Sequence, residues 1–305
     1  MNAIETYKLK RTFGNLVAVE DLTLSIPTGT VFGFLGPNGA GKTTTVRILA
    51  ALISATDGTA AVAGHKVGTD NTAIRQSVGI LTETPGLYDR LSALQNLTFF
   101  ARLYDMPAPR VAAQAEHYLR MLGLWDRRDE RVGGFSKGMR QKLAIARALL
   151  HEPKVIFLDE PTAGLDPEAS RIVIDFIKEL RAEGRTIFLT THNLPEADEL
   201  CDTIGVFRTR LLQVDTPQNL RENLFGHGTK IRLAGDASIF VASVQSLPFV
   251  RDVKAHESIL SIALDNPDEQ NPPLVQALVT AGAQIRAVEP ISHSLEEVYL
   301  ELVGK

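Results

Sequence analysis

The stretch Gly36-Pro37-Asn38-Gly39-Ala40-Gly41-Lys42-Thr43-Thr44 fits the pattern G-x-x-x-x-G-K-[ST]. It lies between a short apolar run, Val31-Phe32-Gly33-Phe34-Leu35, and a segment of helical period with Val46, Leu49, Ala50 and Ile53 on one face. No other feature of the chain restricts its fold as much, because strand, glycine turn and helix must follow one another. The glycines let consecutive backbone N–H groups turn inward as an anion nest, and the helix points its positive end at the same place. Lys42 is then placed to reach the β- and γ-phosphates of a nucleotide, and the Thr43 hydroxyl to bind Mg²⁺. Residues 36–44 are the expected cradle of a nucleoside triphosphate.

Two further apolar runs, Val155–Leu158 and Thr186–Leu189, read as strands buried on both faces. Between them Asp166 can N-cap a helix with Pro167 at its first position and Ile172, Phe176 and Leu180 recurring every four residues. Strand–helix–strand alternation implies a mostly parallel sheet covered by helices. The first run ends in Asp159-Glu160. By itself such a pair usually marks a strand reaching the surface. Beside a phosphate loop, Asp159 is suited to the magnesium shell and Glu160 to polarising an attacking water. His192 follows the other run, at a strand end that faces ligands in open α/β sheets, and can donate to the γ-phosphate.

From about 85 to 150 the texture changes. Leu91, Leu94, Leu97, Phe100 and Leu103 follow a helical spacing, and two more periodic segments cover 111–122 and 139–150. They read as a helical lobe inserted in the α/β core, or as helices lying on the same sheet. The apolar and aromatic group Leu87, Tyr88, Phe99, Phe100 and Tyr104 is a possible dock for a membrane partner, although for most of these residues the spacing favours ordinary lobe core. Composition shifts after Phe225-Gly226-His227-Gly228. Beyond it the pattern gives strand 230–233, helix 238–245, strands 250–255 and 259–264, helix 273–281, strand 284–288 and a closing helix 294–303. That βαββαβ order is a ferredoxin-like split βαβ unit.

The chain's balance of 32 basic against 36 acidic residues argues against binding nucleic acid through phosphate neutralisation. One cysteine, Cys201, rules out an internal disulfide or a cysteine zinc cage and suits a reducing compartment. No apolar run reaches the roughly 18–20 residues of a spanning helix, and the first eleven residues lack a signal-peptide core. A cytoplasmic chain is expected.

Taken together, these motifs resemble the ATP-binding subunit of an ABC transporter over residues 1 to about 220. The resemblance implies a P-loop NTPase cassette of α/β class over residues 1–225. Such a cassette has N-terminal antiparallel strands, a mostly parallel core and the helical lobe, with a small α+β domain at 229–305. Gly134-Phe135-Ser136-Lys137-Gly138-Met139-Arg140-Gln141 looks like the family's L-S-G-G-Q signature loop: Ser136 and Gly138 match, while Phe135, Lys137 and Met139 depart. The S-K-G-M form is similar to that of a subgroup of drug, lipid and ion exporters. Ala163-Gly164-Leu165-Asp166 looks like the D-loop, His192 like the switch histidine, and Phe13 stands where an aromatic ring stacks on adenine. Glu83 takes the place of the Q-loop glutamine; its carboxylate can still approach Mg²⁺, but it lacks the amide donor. The ending Ser294–Leu302 looks like the accessory domain of ABC-2-type exporter ATPases.

The family's geometry implies a head-to-tail homodimer in which Ser136 of one copy meets the nucleotide held by the phosphate loop of the other. It also implies ATP and Mg²⁺ as cofactors, a separate membrane permease as partner, and a place on the inner face of the cell membrane. Alternatives are a soluble ABC ATPase working on ribosomes or nucleic acid, an importer ATPase, and a regulatory nucleotide-binding module. The single cassette, the short distance from Lys42 to Ser136 and the intact Lys42, Asp159, Glu160 and His192 set weigh against the first and last.

Overall fold

The structure is a computed structural model that describes residues 1–82, 84–291 and 293–304. The chain divides into two compact units, residues 1–217 and 218–304. The first contains β1 (Asn2–Phe13), β2 (Leu16–Pro27), β3 (Val31–Leu35), α1 (Lys42–Leu49), β4 (Asp57–Val62), β5 (His65–Lys66), α2 (Asn71–Ser77) and β6 (Val78–Leu81). It continues with α3 (Ala93–Arg102), α4 (Ala108–Met121), α5 (Lys137–Leu149), β7 (Val155–Asp159), α6 (Pro167–Ala182), β8 (Thr186–Thr191), α7 (Leu194–Leu200), β9 (Thr203–Arg208) and β10 (Arg210–Asp215). Helix α8 (Pro217–Phe225) starts at the division, ahead of the Gly226 turn where composition shifts.

Strands β3, β7 and β8 are buried at every residue, which is why their sequences run apolar without alternation. They lie inside a six-stranded sheet ordered β10-β9-β3-β8-β7-β6, parallel except for the antiparallel edge strand β10. Phe34, Phe157, Phe188 and Phe207 pack ring against ring on it, and full burial of each stabilises by about 1.5–3 kcal/mol. A second sheet, antiparallel and ordered β2-β1-β4-β5, is built from the N-terminal strands. Helix α6 begins as the sequence implies, with the Asp166 carboxylate accepting from the Ala169 N–H at 2.7 Å and Val173, Phe176, Ile177 and Leu180 buried.

Helices α3, α4 and α5 pack on one another as a lobe, and α3 opens on a capping box of Ser92 and Gln95. Helix α5 also lies on the core sheet. A Cβ on Gly79 of β6 would fall 2.2 Å from the Ala148 carbonyl, so only glycine permits the approach. Lobe and same-sheet packing are thus both present, and α5 takes part in both. The aromatic group departs from expectation. Leu97 is fully buried, but Tyr88 and Phe99 are exposed, Leu87, Phe100 and Tyr104 only half-buried, and Leu103 at the end of the stripe is 66% exposed. The stripe outruns the surface available to cover it: Ala101 in the last turn of α3 is fully buried, but Leu103 just past the helix end is not.

The second unit holds β11 (His227–Leu233), a 3₁₀ turn at Ser238–Phe240 leading into α9 (Val241–Gln245), β12 (Val250–His256), β13 (Ile259–Leu264), α10 (Pro267–Thr280), β14 (Ile285–Pro290) and α11 (Leu295–Val303). Its sheet is antiparallel in the order β12-β13-β11-β14, the ferredoxin-like arrangement. Ile231, Leu260, Ile262, Leu274 and Leu278 form its core. Helix α10 starts at Pro267, not at the expected Pro273. The Gln270 side chain accepts from the N–H groups of Asp265 and Asn266 at 3.0 and 3.1 Å, which fixes the earlier start. Pro272 and Pro273 are carried inside the helix. Among the described residues no helix is long and apolar enough to cross a membrane.

Candidate active site

Parallel pairing sets the site. Leu35 of β3 aligns with Thr191 of β8, and Asp159 of β7 aligns with Thr190. Three strand ends far apart in sequence therefore finish side by side, and the segments following them share one edge of the sheet.

After β3 the chain turns through Gly36 to Gly41 into α1. Two of these glycines are sterically required: a Cβ on Gly36 would lie 2.1 Å from the Phe207 carbonyl, and one on Gly41 2.0 Å from that of Ala18, with Gly41 at φ +105°. No side chain caps the N-terminus of α1, so its first N–H groups stay available to an anion. The Lys42 ammonium donates to the Gly36 carbonyl at 2.6 Å and the Pro37 carbonyl at 3.3 Å, which folds it over the loop.

Asp159 is buried and accepts a hydrogen bond from the Thr190 hydroxyl. Glu160 sits in the left-handed region at φ +52°, a conformation that costs about 1–3 kcal/mol and is held by its N–H donating to the Thr190 carbonyl at 3.0 Å. That turn brings its carboxylate 3.7 Å from the Lys42 ammonium on one side. On the other, His192 Nδ1 donates to it at 2.8 Å. Lys42, Glu160 and His192 thus form a connected chain. They line a cleft of about 510 Å³ together with Phe13, Pro37–Thr44 and Asp159. The Arg11 guanidinium lies 4.4 Å from the Phe13 ring.

Ser136, Gly138 and Asp166 do not line this cleft. Ser136 caps α5, its hydroxyl accepting from the Met139 N–H at 3.2 Å. Gly138 packs against Ala169, where a Cβ would come within 3.1 Å. The Lys137 ammonium lies over Gly164 of the same chain, not on the phosphate loop. Glu83 lies outside the described residues.

A magnesium ion fits the residues present. Asp159 and Thr43 both face the cleft. Among the described residues no three acidic, histidine or cysteine side chains converge as a metal cluster. One carboxylate and one hydroxyl, completed by phosphate oxygens and water, is the usual donor set for Mg²⁺ beside a nucleotide.

Several participants were not found from sequence. Thr190 orders both Asp159 and Glu160; its only signal is a polar residue in an apolar strand. Gln141, buried on α5, donates to the Pro161 carbonyl at 2.9 Å and so ties the signature helix to the segment after Glu160. Glu196, buried in α7, has its carboxyl pKa raised by burial above all; the Thr162 and Thr191 hydroxyls oppose the rise and the Glu160 charge adds to it.

Residues 19–163 match the ABC transporter family, and residues 216–303 match the DrrA1-3-like ATP-binding protein C-terminal domain. The daunorubicin resistance ATP-binding protein DrrA3 of Streptomyces coeruleorubidus is 36% identical over 304 residues, covering 99% of this chain and 96% of that protein. A fluoroquinolones export ATP-binding protein of Mycobacterium tuberculosis is 36% identical over 289 residues, covering 94% and 88% of the two chains. Among solved structures, an ATP-binding subunit of an ABC transporter superposes with a TM-score of 0.68 at 29% identity, covering 73% of this chain and 93% of that one.

Proposed function

The chain belongs to the ABC transporter family as an ATP-binding, ATP-hydrolysing subunit, and from that premise we propose that two copies clamp ATP between them to power export through a separate membrane permease. The observation that carries the reading is the joined set Lys42–Glu160–His192 at the mouth of a cleft walled by the phosphate loop. In it, the loop N–H groups and Lys42 bind the β- and γ-phosphates, and Phe13 stacks on the base. Glu160 takes the proton of a water as its oxygen attacks the γ-phosphorus and the bond to the β-phosphate oxygen breaks, leaving ADP and phosphate. His192 holds the Glu160 carboxylate in place by donating from Nδ1; a neutral ring has one N–H, so it donates to a phosphate oxygen only by giving up that bond. Thr43 and Asp159 would hold Mg²⁺, which when bound would neutralise charge on the phosphates.

Ser136 and Gly138 lie outside the cleft of their own chain, which supports delivery of the signature loop by a second copy, with Asp166 at the same seam. ATP then acts as a ligand with higher affinity for the closed pair. The exposed Tyr88 and Phe99, joined by half-buried Phe100, support docking of the permease on that face. Such a subunit sits in the cytoplasm against the inner face of the membrane. The names of the relatives favour export over import.

Replacing Glu160 with Gln tests the reading. Phosphate release should slow by about 10²–10⁴-fold while ATP still binds. With Mg–ATP the variant should run as a dimer in light scattering; unaltered turnover, or a strict monomer, would refute the reading.

A further inference from the structure

Two arginines on the signature helix grip the segment that follows β6. Arg147, in the last turn of α5, donates to the carbonyls of Pro85 and of Gly86, the latter at 3.2 Å. Its guanidinium lies 4.9 Å from the Phe100 ring. Arg140, seven residues earlier and so about two turns away on the same side, pairs with Asp89 at 2.7 Å. Between these points Asn96 of α3, fully buried, accepts from the Tyr88 N–H at 2.8 Å and donates to its carbonyl at 3.1 Å. The Gly133 N–H, just before the signature loop, donates to the Asp89 carbonyl at 3.0 Å. Among the described residues, the side-chain hydrogen bonds of 85–89 all run to α3 and α5, and none to the core sheet.

A loop held in this way follows the helices that hold it. We propose that Arg140 and Arg147 are positioning residues that make segment 85–89 and the signature helix one moving body, so that Ser136 closing on a nucleotide displaces the Tyr88–Phe99–Phe100 surface. Arginine suits the task because its planar fork can serve two carbonyls at once, which a lysine ammonium does poorly. The proposal rests on the reading that Ser136 meets the nucleotide of a second copy.

Hydrogen exchange in the Glu160→Gln protein, with and without Mg–ATP, separates the two ideas. Peptides spanning 136–149 and 84–92 should both gain protection on adding ATP. With Arg147→Met and Arg140→Met added, the gain at 136–149 should persist while that at 84–92 falls roughly fivefold or more. Undiminished protection at 84–92 overturns the proposal, whatever the change in melting temperature. Absence of the gain at 136–149 in the parent would remove the dimer reading and this proposal with it. Should the double variant not fold, Asp89→Ala removes the acceptor of Arg140 at an exposed position and leaves the Arg147 contacts in place. It should still lower the gain at 84–92, and no change there overturns the proposal.

Discussion

His151 gives the larger unit one defined source of acid sensitivity. Its Nε2 lies 3.0 Å from the Val78 carbonyl, which can only accept, so Nε2 carries the proton and donates. The Nδ1 atom is buried without a partner, and the ring stacks on Tyr104 at 3.8 Å. Burial pushes the imidazole down to about 4 from its ordinary 6.5, with the Val78 bond opposing the shift. The folded state thus resists a proton that the unfolded chain accepts, and stability is lost as pH falls through the window from 6.5 to 4. With those two values the loss is negligible at pH 7, about 2 kcal/mol at pH 5 and about 3 kcal/mol at pH 4. At pH 5 that is about 4–8 °C in the melting temperature of a unit this size. His151→Phe keeps the stack and gives up the hydrogen bond to Val78, which costs about 1 kcal/mol at pH 7. Calorimetric melts from pH 7.5 to 4.5 should therefore show crossing curves: the parent more stable at neutral pH, the variant more stable by about 1 kcal/mol at pH 5. Parallel curves would mean that His151 is not held neutral by its surroundings.

Phe13→Ala should raise KM for ATP by about 5–150-fold, the equivalent of 1–3 kcal/mol of lost stacking, with kcat little changed; an unaltered KM would remove the base from Phe13. Gly41→Ala forces a side chain into the left-handed region against the Ala18 carbonyl, so equilibrium dialysis should detect no ATP binding. Retained binding would contradict the loop geometry. Asp166→Ala should destabilise the larger unit by about 0.5–2 kcal/mol through loss of the α6 cap, while Asp166→Asn should leave it near the parent; thermal melts of the two variants decide it.

Local order carried much of the reading. The phosphate loop, the β7 carboxylates and the α6 cap are each a few contiguous residues, so their patterns can be read locally, although Phe207 and Ala18 crowd the loop glycines and Thr190 holds the turn at Glu160. The same holds for the alternation of elements in the second unit. The helix expected at 273–281 begins earlier, at Pro267, where the Gln270 side chain accepts from the N–H groups of Asp265 and Asn266. The periodic stripe of α3 likewise could not reveal that Leu103, at its far end, is exposed.

The amino-acid order by itself determined that a triphosphate-binding loop, two carboxylates at a strand end and a histidine after a second strand would exist, since each is a property of a few neighbouring residues. Only the tertiary structure decided that they meet. The parallel register of β3, β8 and β7 brings Lys42, Glu160 and His192 into one chain of contacts. The left-handed turn at Glu160 aims the carboxylate, and α5 carries Ser136 away from its own cleft. The pairing of β3 with β8, more than a hundred residues apart in sequence, is fixed by how the whole core packs, and no short stretch of residues contains that information.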